Sequence, residues 1–178
     1  MKWVLIVLGA LVGLVVLMAL VGVMLPRQHV AGVSVTLRQP AESVWQAMRD
    51  FGGVTRWWPD MKSSERTADS GGRERWAQAM GGFKMALIID AEEPPRRLVT
   101  RIDSPPGAPF GGGWTYEITP SGEGCRLTLT ERGWIANPMF RFLSRFVFGY
   151  YRTQESYLRA LGRRFGETVT PVREPLGH

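Results

Sequence analysis

From Trp3 to Leu25 the chain offers no charged position at all: 23 consecutive residues are drawn only from Gly, Ala, Val, Leu, Ile, Met and Trp. A helix rises about 1.5 Å per residue, so the run reaches roughly 34 Å and covers a hydrocarbon core of about 30 Å with some tilt. It predicts a transmembrane anchor over residues 1–26, ended by Pro26. A secretory signal has a shorter apolar core, of about 7 to 15 residues, and closes on small residues at a cleavage site. Here the run closes on Val23-Met24-Leu25-Pro26-Arg27, which favours a retained anchor over a cleaved signal. Gly9 and Gly13 stand at the GxxxG spacing that lets two helices approach closely. Glycine is common in such helices, so dimerisation is the weaker reading. Lys2 on one side nearly balances Arg27 and Arg38 on the other, which leaves the side of the soluble part open.

Past the anchor the pattern shortens. Val30 to Leu37 is rich in β-branched residues and predicts a strand. Pro40 suits a first helical position with Gln39 before it as cap, and Val44, Ala47, Met48 and Phe51 then recur at i, i+3, i+4 and i+7 on one apolar face, up to Gly52-Gly53. Between Lys62 and Trp134 five turn signals, from Asp69-Ser70-Gly71-Gly72 to Pro120-Ser121-Gly122-Glu123-Gly124, separate six extended segments. Short connections make neighbours antiparallel, so a meander is expected. A long last helix is predicted from an Asn137 cap to Phe165, before Gly166. Its apolar face runs through Phe140, Leu143, Val147, Tyr151, Leu158, Leu161 and Phe165, and another face carries Arg141, Arg145, Arg152, Arg159 and Arg163. Residues 27–167 then form one α+β domain: a curved antiparallel sheet of about seven strands wrapped on a long C-terminal helix. Residues 168–178 read as a flexible tail.

Composition narrows this little further. At 178 residues, with 44% hydrophobic and 21% charged side chains, the chain is an ordinary domain and not a disordered or collagen-like one. The formal charge is +6, and most of the 22 basic residues are arginine. A tethered basic face senses anionic headgroups within about a Debye length, although a solvated face explains any single run equally well. Nucleic acid is not indicated, because the basic residues are not grouped with stacking aromatics. With only His29 and His178 there is almost no material for a Ser-His-Asp arrangement or a histidine metal site, and no cofactor is called for. The lone Cys125 can form no internal disulfide and suits a small core position.

Several local stretches resemble one superfamily. Gln39-Pro40-Ala41-Glu42-Ser43-Val44-Trp45, the aromatic turn Trp57-Trp58-Pro59, the passage Glu131-Arg132-Gly133-Trp134 into Asn137-Pro138-Met139-Phe140-Arg141-Phe142, and Tyr157-Leu158-Arg159-Ala160-Leu161 near Phe165-Gly166-Glu167 are similar to bacterial members of the START and polyketide cyclase/dehydrase superfamily, SRPBCC. The resemblance covers about residues 30–167 and implies the helix-grip fold. It implies no single reaction, since the superfamily spans lipid carriers, hormone binders and cyclases. Many bacterial members also carry an N-terminal anchor, which points to the inner membrane.

Alternation supplies the pocket. Trp76, Gln78, Met85 and Leu87 share one parity, and so do Trp114, Tyr116, Leu129 and Glu131. With Phe140, Leu143, Val147 and Tyr151 from the last helix they outline an apolar cavity with a few polar handles, or else plain core. Trp57 and Trp58 cannot both enter one core, so one of them is expected at the pocket mouth. Glu131 is the one candidate for catalysis: an inward carboxylate would be desolvated and could act as acid, base or head-group partner. Pairing with Arg132, Arg126 or Arg75 is the plainer alternative. The loop from Pro105 to Gly113 lacks GxGxxG and a following lysine, so it holds no phosphate and reads as a gate or an ordinary hairpin. Three functions fit: a membrane-anchored carrier of a hydrophobic small molecule or lipid, a cyclase- or dehydrase-like enzyme using Glu131, Tyr116 or Tyr151, and an interaction protein with a vestigial pocket.

Overall fold

Turns of two to seven residues leave each strand little choice but to pair with its predecessor, and the computed structural model, which describes residues 2–175, shows that arrangement. Strands β2 (Met61–Ser70), β3 (Arg73–Met80), β4 (Phe83–Glu93), β5 (Arg97–Ile102), β6 (Phe110–Ser121) and β7 (Gly124–Ile135) form the meander. β1 (Gln28–Leu37) closes against β7, giving the order β2-β3-β4-β5-β6-β7-β1-β8 with β8 at Val172–Arg173. Register shifts between Met61 and Ser63, Thr67 and Ser70, and Ile89 and Ala91 bend the sheet.

The concave face is covered by α2 (Ala41–Arg49) and α4 (Arg152–Arg164). The predicted apolar face of α2 is the buried one, through Val44, Ala47, Met48 and, just beyond the helix, Phe51. Pro40, not Gln39, is its N-cap, and no side chain caps it. Arg49 braces the other end, bonding Glu74 at 2.6 Å and Glu92 at 2.8 Å. Leu37, Leu98, Leu127, Leu129, Leu158 and Leu161 are fully buried, each contributing about 1.5–3 kcal/mol relative to exposure. Cys125 lies at 0% exposure in the same core.

Two expectations are corrected. The last helix is not continuous: α3 (Pro138–Leu143) passes into a π turn at Ser144–Phe148, the helical conformation breaks at Gly149, and α4 begins three residues later. Gly149 has φ 75° and ψ 150°, a conformation open essentially to glycine alone, and helical periodicity cannot register such a reset. Asn137 does cap α3, accepting from the amides of Met139 at 2.8 Å and Phe140 at 3.2 Å. The chain after Glu167 is not a loose end either. Val172–Arg173 adds a short strand to β1, Glu174 accepts from Ser34 and Arg126, and buried Glu167 accepts from the Arg38 amide and from Gln39. Polar pairing with β1, rather than an apolar pattern, holds the segment. Met1 and residues 176–178, His178 among them, lie outside the described residues.

At the other end α1 (Lys2–Met24) projects with nearly all of its surface exposed, long and apolar enough to cross a membrane, as either an anchor or a signal sequence would be. It is locked where it meets the domain. A Cβ on Gly22 would stand 2.0 Å from the Pro138 carbonyl oxygen, so α1 and α3 touch backbone to backbone. Arg141 leaves the expected solvated arginine face: it is 5% exposed and donates to the Leu25 carbonyl at 2.7 Å. Arg145, Arg152, Arg159 and Arg163 are exposed as expected.

Replacing Gly149 with Ala should destabilise the detergent-solubilised chain by about 1–3 kcal/mol, read as a lowered urea midpoint. Gly9→Ala, whose Cβ meets nothing within 4 Å, should leave that midpoint in place.

Candidate functional site

Antiparallel register places residues of equal parity opposite one another, so the predicted inward set meets across the sheet. Gln78 pairs with Met85, Trp76 with Leu87, Trp114 with Glu131, and Tyr116 with Leu129. Six of these eight, Gln78, Met85, Leu87, Trp114, Tyr116 and Glu131, form one wall of a cavity of about 510 Å³ between the concave sheet, the turn at Val54–Trp58, and the segment from α3 to α4. Its lining is predominantly apolar, with Met48, Phe51, Met61, Met80, Ile102 and Ile135 among the contributors.

Four interlocked rings form its base. Tyr157 meets Trp58 edge-on at 5.0 Å and Trp114 and Tyr116 at 5.9 Å each, while Trp114 also meets Tyr116 at 6.0 Å. Edge-to-face pairs of this kind add about 0.5–1.5 kcal/mol each beyond their burial. Burial pushes the Tyr116 and Tyr157 phenols well above the ordinary tyrosine value, so both stay protonated at neutral pH. Tyr116 can donate a hydrogen bond, and its tightly held proton makes it a weak acid and no base at neutral pH.

Of the residues singled out from sequence, Trp58, Gln78, Met85, Leu87, Trp114, Tyr116, Glu131 and Phe140 line the cavity. Leu129 faces the same way but lies in solid core. Trp76 packs on Phe51 at 5.7 Å and donates to Glu74 at 2.7 Å. Trp57 is half-buried against Tyr157, 5.3 Å away, under the Arg164 guanidinium; neither it nor the buried Trp58 stands at the mouth. Leu143, at the end of α3, does not line the cavity, and Val147 and Tyr151 miss it because the expected phase runs through an unbroken α-helix. The π turn and Gly149 reset that phase, bringing in Phe148 and Tyr150 instead, and Tyr151 lies beneath Arg173 at 4.6 Å.

Glu131 makes none of the expected arginine pairs. Arg75 bonds Asp103 and Arg126 bonds Glu174. Its carboxylate instead accepts from the Trp114 indole at 2.8 Å, bonds His29 Nε2 at 3.1 Å, and lies 3.5 Å from the Gln154 amide nitrogen. The His29 ring stacks on Tyr150 at 4.3 Å, nearly parallel at 13°. Gly133 makes room for it, since a Cβ there would come within 2.5 Å of the imidazole. His29 is the principal residue that sequence reasoning missed, although a signal was present: Ala31, Val33, Val35 and Leu37 alternate inward, and His29 extends that parity two residues upstream.

The glycine run after Pro109 has a packing cause. Gly111 accommodates the Trp134 ring, 2.7 Å from where its Cβ would stand, and Gly113 the Thr100 carbonyl at 2.1 Å. Pro109 to Gly113 line the cavity, with Phe110 to Gly113 already in β6, so close approach rather than loop mobility explains them.

A model of the family described as polyketide cyclase / dehydrase and lipid transport matches residues 28–165. The chain belongs to this family. Its fold is the helix-grip fold of the SRPBCC superfamily, and solved structures agree. The TTHA0849 protein of Thermus thermophilus superposes with a TM-score of 0.60 at 24% identity, covering 76% of this chain and 96% of its own. The Mll3558 protein of Rhizobium loti gives 0.57 at 26%, with 76% and 96% covered. The Zhui aromatase/cyclase of Streptomyces gives 0.62 at 16%, with 77% and 93% covered. No curated protein matches the sequence. Within that fold the cavity of this chain has a polar corner, His29 and Glu131, facing a mostly apolar wall.

Raised phenol values make stability fall with alkalinity: the contribution is whole below the unfolded tyrosine value of about 10 and is lost as pH rises through the folded one. Tyrosinate absorbance from Tyr116 and Tyr157 should therefore appear only together with loss of the near-ultraviolet circular dichroism. Tyr157→Ala should cost about 3–5 kcal/mol and Tyr157→Phe about 1 kcal/mol or less in denaturant titrations.

Proposed function

We propose that this protein is a membrane-anchored binding module that holds a hydrophobic small molecule or lipid in its internal cavity. The observation that carries the proposal is the cavity itself: about 510 Å³, apolar over most of its wall, with the bonded pair Glu131 and His29 as a polar corner. That volume falls within the roughly 300–1,000 Å³ of small-molecule sites, and a wall of this kind suits a ligand with a long apolar body and one polar end. Family membership supports the same reading, since lipid transport stands in the family's description. The apolar α1 supplies the anchor, in a bacterial inner membrane on this reading, and an anchor raises the encounter rate with ligands dissolved in the bilayer without any new contact.

A second reading rests on the His29–Glu131 bond inside the cavity. An imidazole held by a carboxylate is a general acid–base pair, and Tyr116 adds a protonated donor on the same wall. Cyclisation or dehydration of a bound ketone needs proton transfers of that kind. The Zhui aromatase/cyclase shows that the fold accommodates such an enzyme.

Native mass spectrometry of the full chain released from host membranes should show a stoichiometric apolar adduct. Leu87→Glu, which places a charge in the cavity wall, should abolish it, and Tyr151→Glu, outside the cavity, should retain it. An adduct-free wild-type chain would overturn the carrier reading. Glu131→Gln should leave the adduct bound, and a change in the adduct's mass between wild type and this variant would identify turnover.

A further inference from the structure

The covered part of α1 is small and local. Residues 2–17 are exposed throughout, whereas Met18, Ala19, Val21, Gly22 and Leu25 lose surface where α3 packs alongside. From Met18 to Leu25 a helix advances about 10 Å, so α3 runs beside the last two turns of the apolar helix rather than beyond its end. An α1 that spans a bilayer therefore carries α3 to the depth at which headgroups give way to acyl chains, about 5–10 Å below the surface for an interfacial helix.

The side chains there suit that depth. Phe146, Val147 and Phe148 on the π turn are 59%, 62% and 51% exposed, a contiguous apolar patch of the sort that marks an interaction surface. Arg141, the charge that would oppose burial in lipid, is turned inward onto the Leu25 carbonyl. Arg145 stays exposed, its guanidinium 5.9 Å from the Phe146 ring, and an arginine at such a depth reaches headgroups with its charged end while its stem stays apolar.

The same patch borders the cavity. Phe140 and Phe148 line it while remaining half exposed, and across the opening Phe83, 58% exposed, meets Phe110 edge-on at 6.3 Å. Arg27 at the foot of α1 adds an exposed cation beside the apolar helix. We propose that the π-turn segment Phe146–Phe148 inserts into the bilayer that holds α1, so that the cavity mouth opens onto the acyl region and its ligand enters from the membrane rather than from water. The proposal deepens the carrier reading and rests on it for the ligand, but its geometry is measurable alone.

The test uses the full chain in vesicles of phosphatidylcholine and phosphatidylglycerol. Nitroxide labels at Phe146→Cys, Val147→Cys and Phe148→Cys should collide more with oxygen than with a water-soluble nickel chelate. A label at Glu123→Cys, on the turn at the far end of β7, should show the reverse; native Cys125 is buried and takes no label. Uptake of cis-parinaric acid preloaded in the vesicles should slow about tenfold in the doubly substituted Phe146→Asp, Val147→Asp chain, as two charges oppose insertion. Its equilibrium occupancy should hold, since neither residue lines the cavity. Labels at 146–148 that report water, or uptake indifferent to the double substitution, would overturn the proposal. Absence of parinaric acid binding in the wild type would instead overturn the carrier reading, and the depth of the labels alone would then decide whether the segment inserts.

Discussion

The ladder between β1 and β7 is the interaction on which the rest depends. It joins residues 28–37 to residues 125–134 without a register shift, from Gln28 opposite Trp134 to Leu37 opposite Cys125. That single register turns a meander into a sheet with a covered concave face. It sets Ala31 beside Glu131 and His29 beside Gly133, the two placements from which the polar corner of the cavity is built. It also brings the foot of α1 to the start of α3, where the Ile135 amide bonds the Arg27 carbonyl at 2.9 Å. A slip of one residue would turn His29 and the Val33–Val35–Leu37 row to the opposite face and dismantle core and site together.

The cavity combines two environments that seldom coexist cheaply. Its base is four aromatic rings whose hydroxyls and indoles are largely shielded from water, and its polar corner holds a carboxylate 24% exposed. Glu131 is tolerable there because the Trp114 indole, a ring that belongs to the base, turns its only donor toward it. Trp114 therefore serves both environments, as a packing ring on one side and a hydrogen-bond donor on the other. Gln154, fully buried on α4, links the same corner to the Ala31 carbonyl at 3.0 Å and ties the helix to the sheet edge that carries His29.

Much of this was legible in the sequence because period-two alternation and turn chemistry are local. The six meander strands, the α2 face, and the inward parity of Gln78, Met85, Leu87, Trp114, Tyr116 and Glu131 all follow from spacing within a few residues. What escaped depended on distant partners. The π turn and the break at Gly149 look like one more glycine in a helical pattern, and their cost is a phase error that misplaces Val147 and Tyr151. Arg141 reads as solvated because nothing near it in sequence announces the Leu25 carbonyl, which lies 116 residues away. His29 stands so near the apolar run that it reads as a flanking residue, yet its parity with Ala31 and Val33 is the better guide.

The junction between α1 and the domain has a mechanical consequence. Only Leu25, Pro26 and Arg27 separate the helix from β1, and each end of that short link is fastened, at Leu25 by Arg141 and at Arg27 by Ile135. A domain on a flexible leash samples a hemisphere of orientations around its attachment point. This one has no leash. Rotation of α1 about its own axis turns the whole domain with it, so the protein behaves as a rigid body with a fixed compass heading. Anything that meets it in the plane of α1's surroundings meets the same face every time.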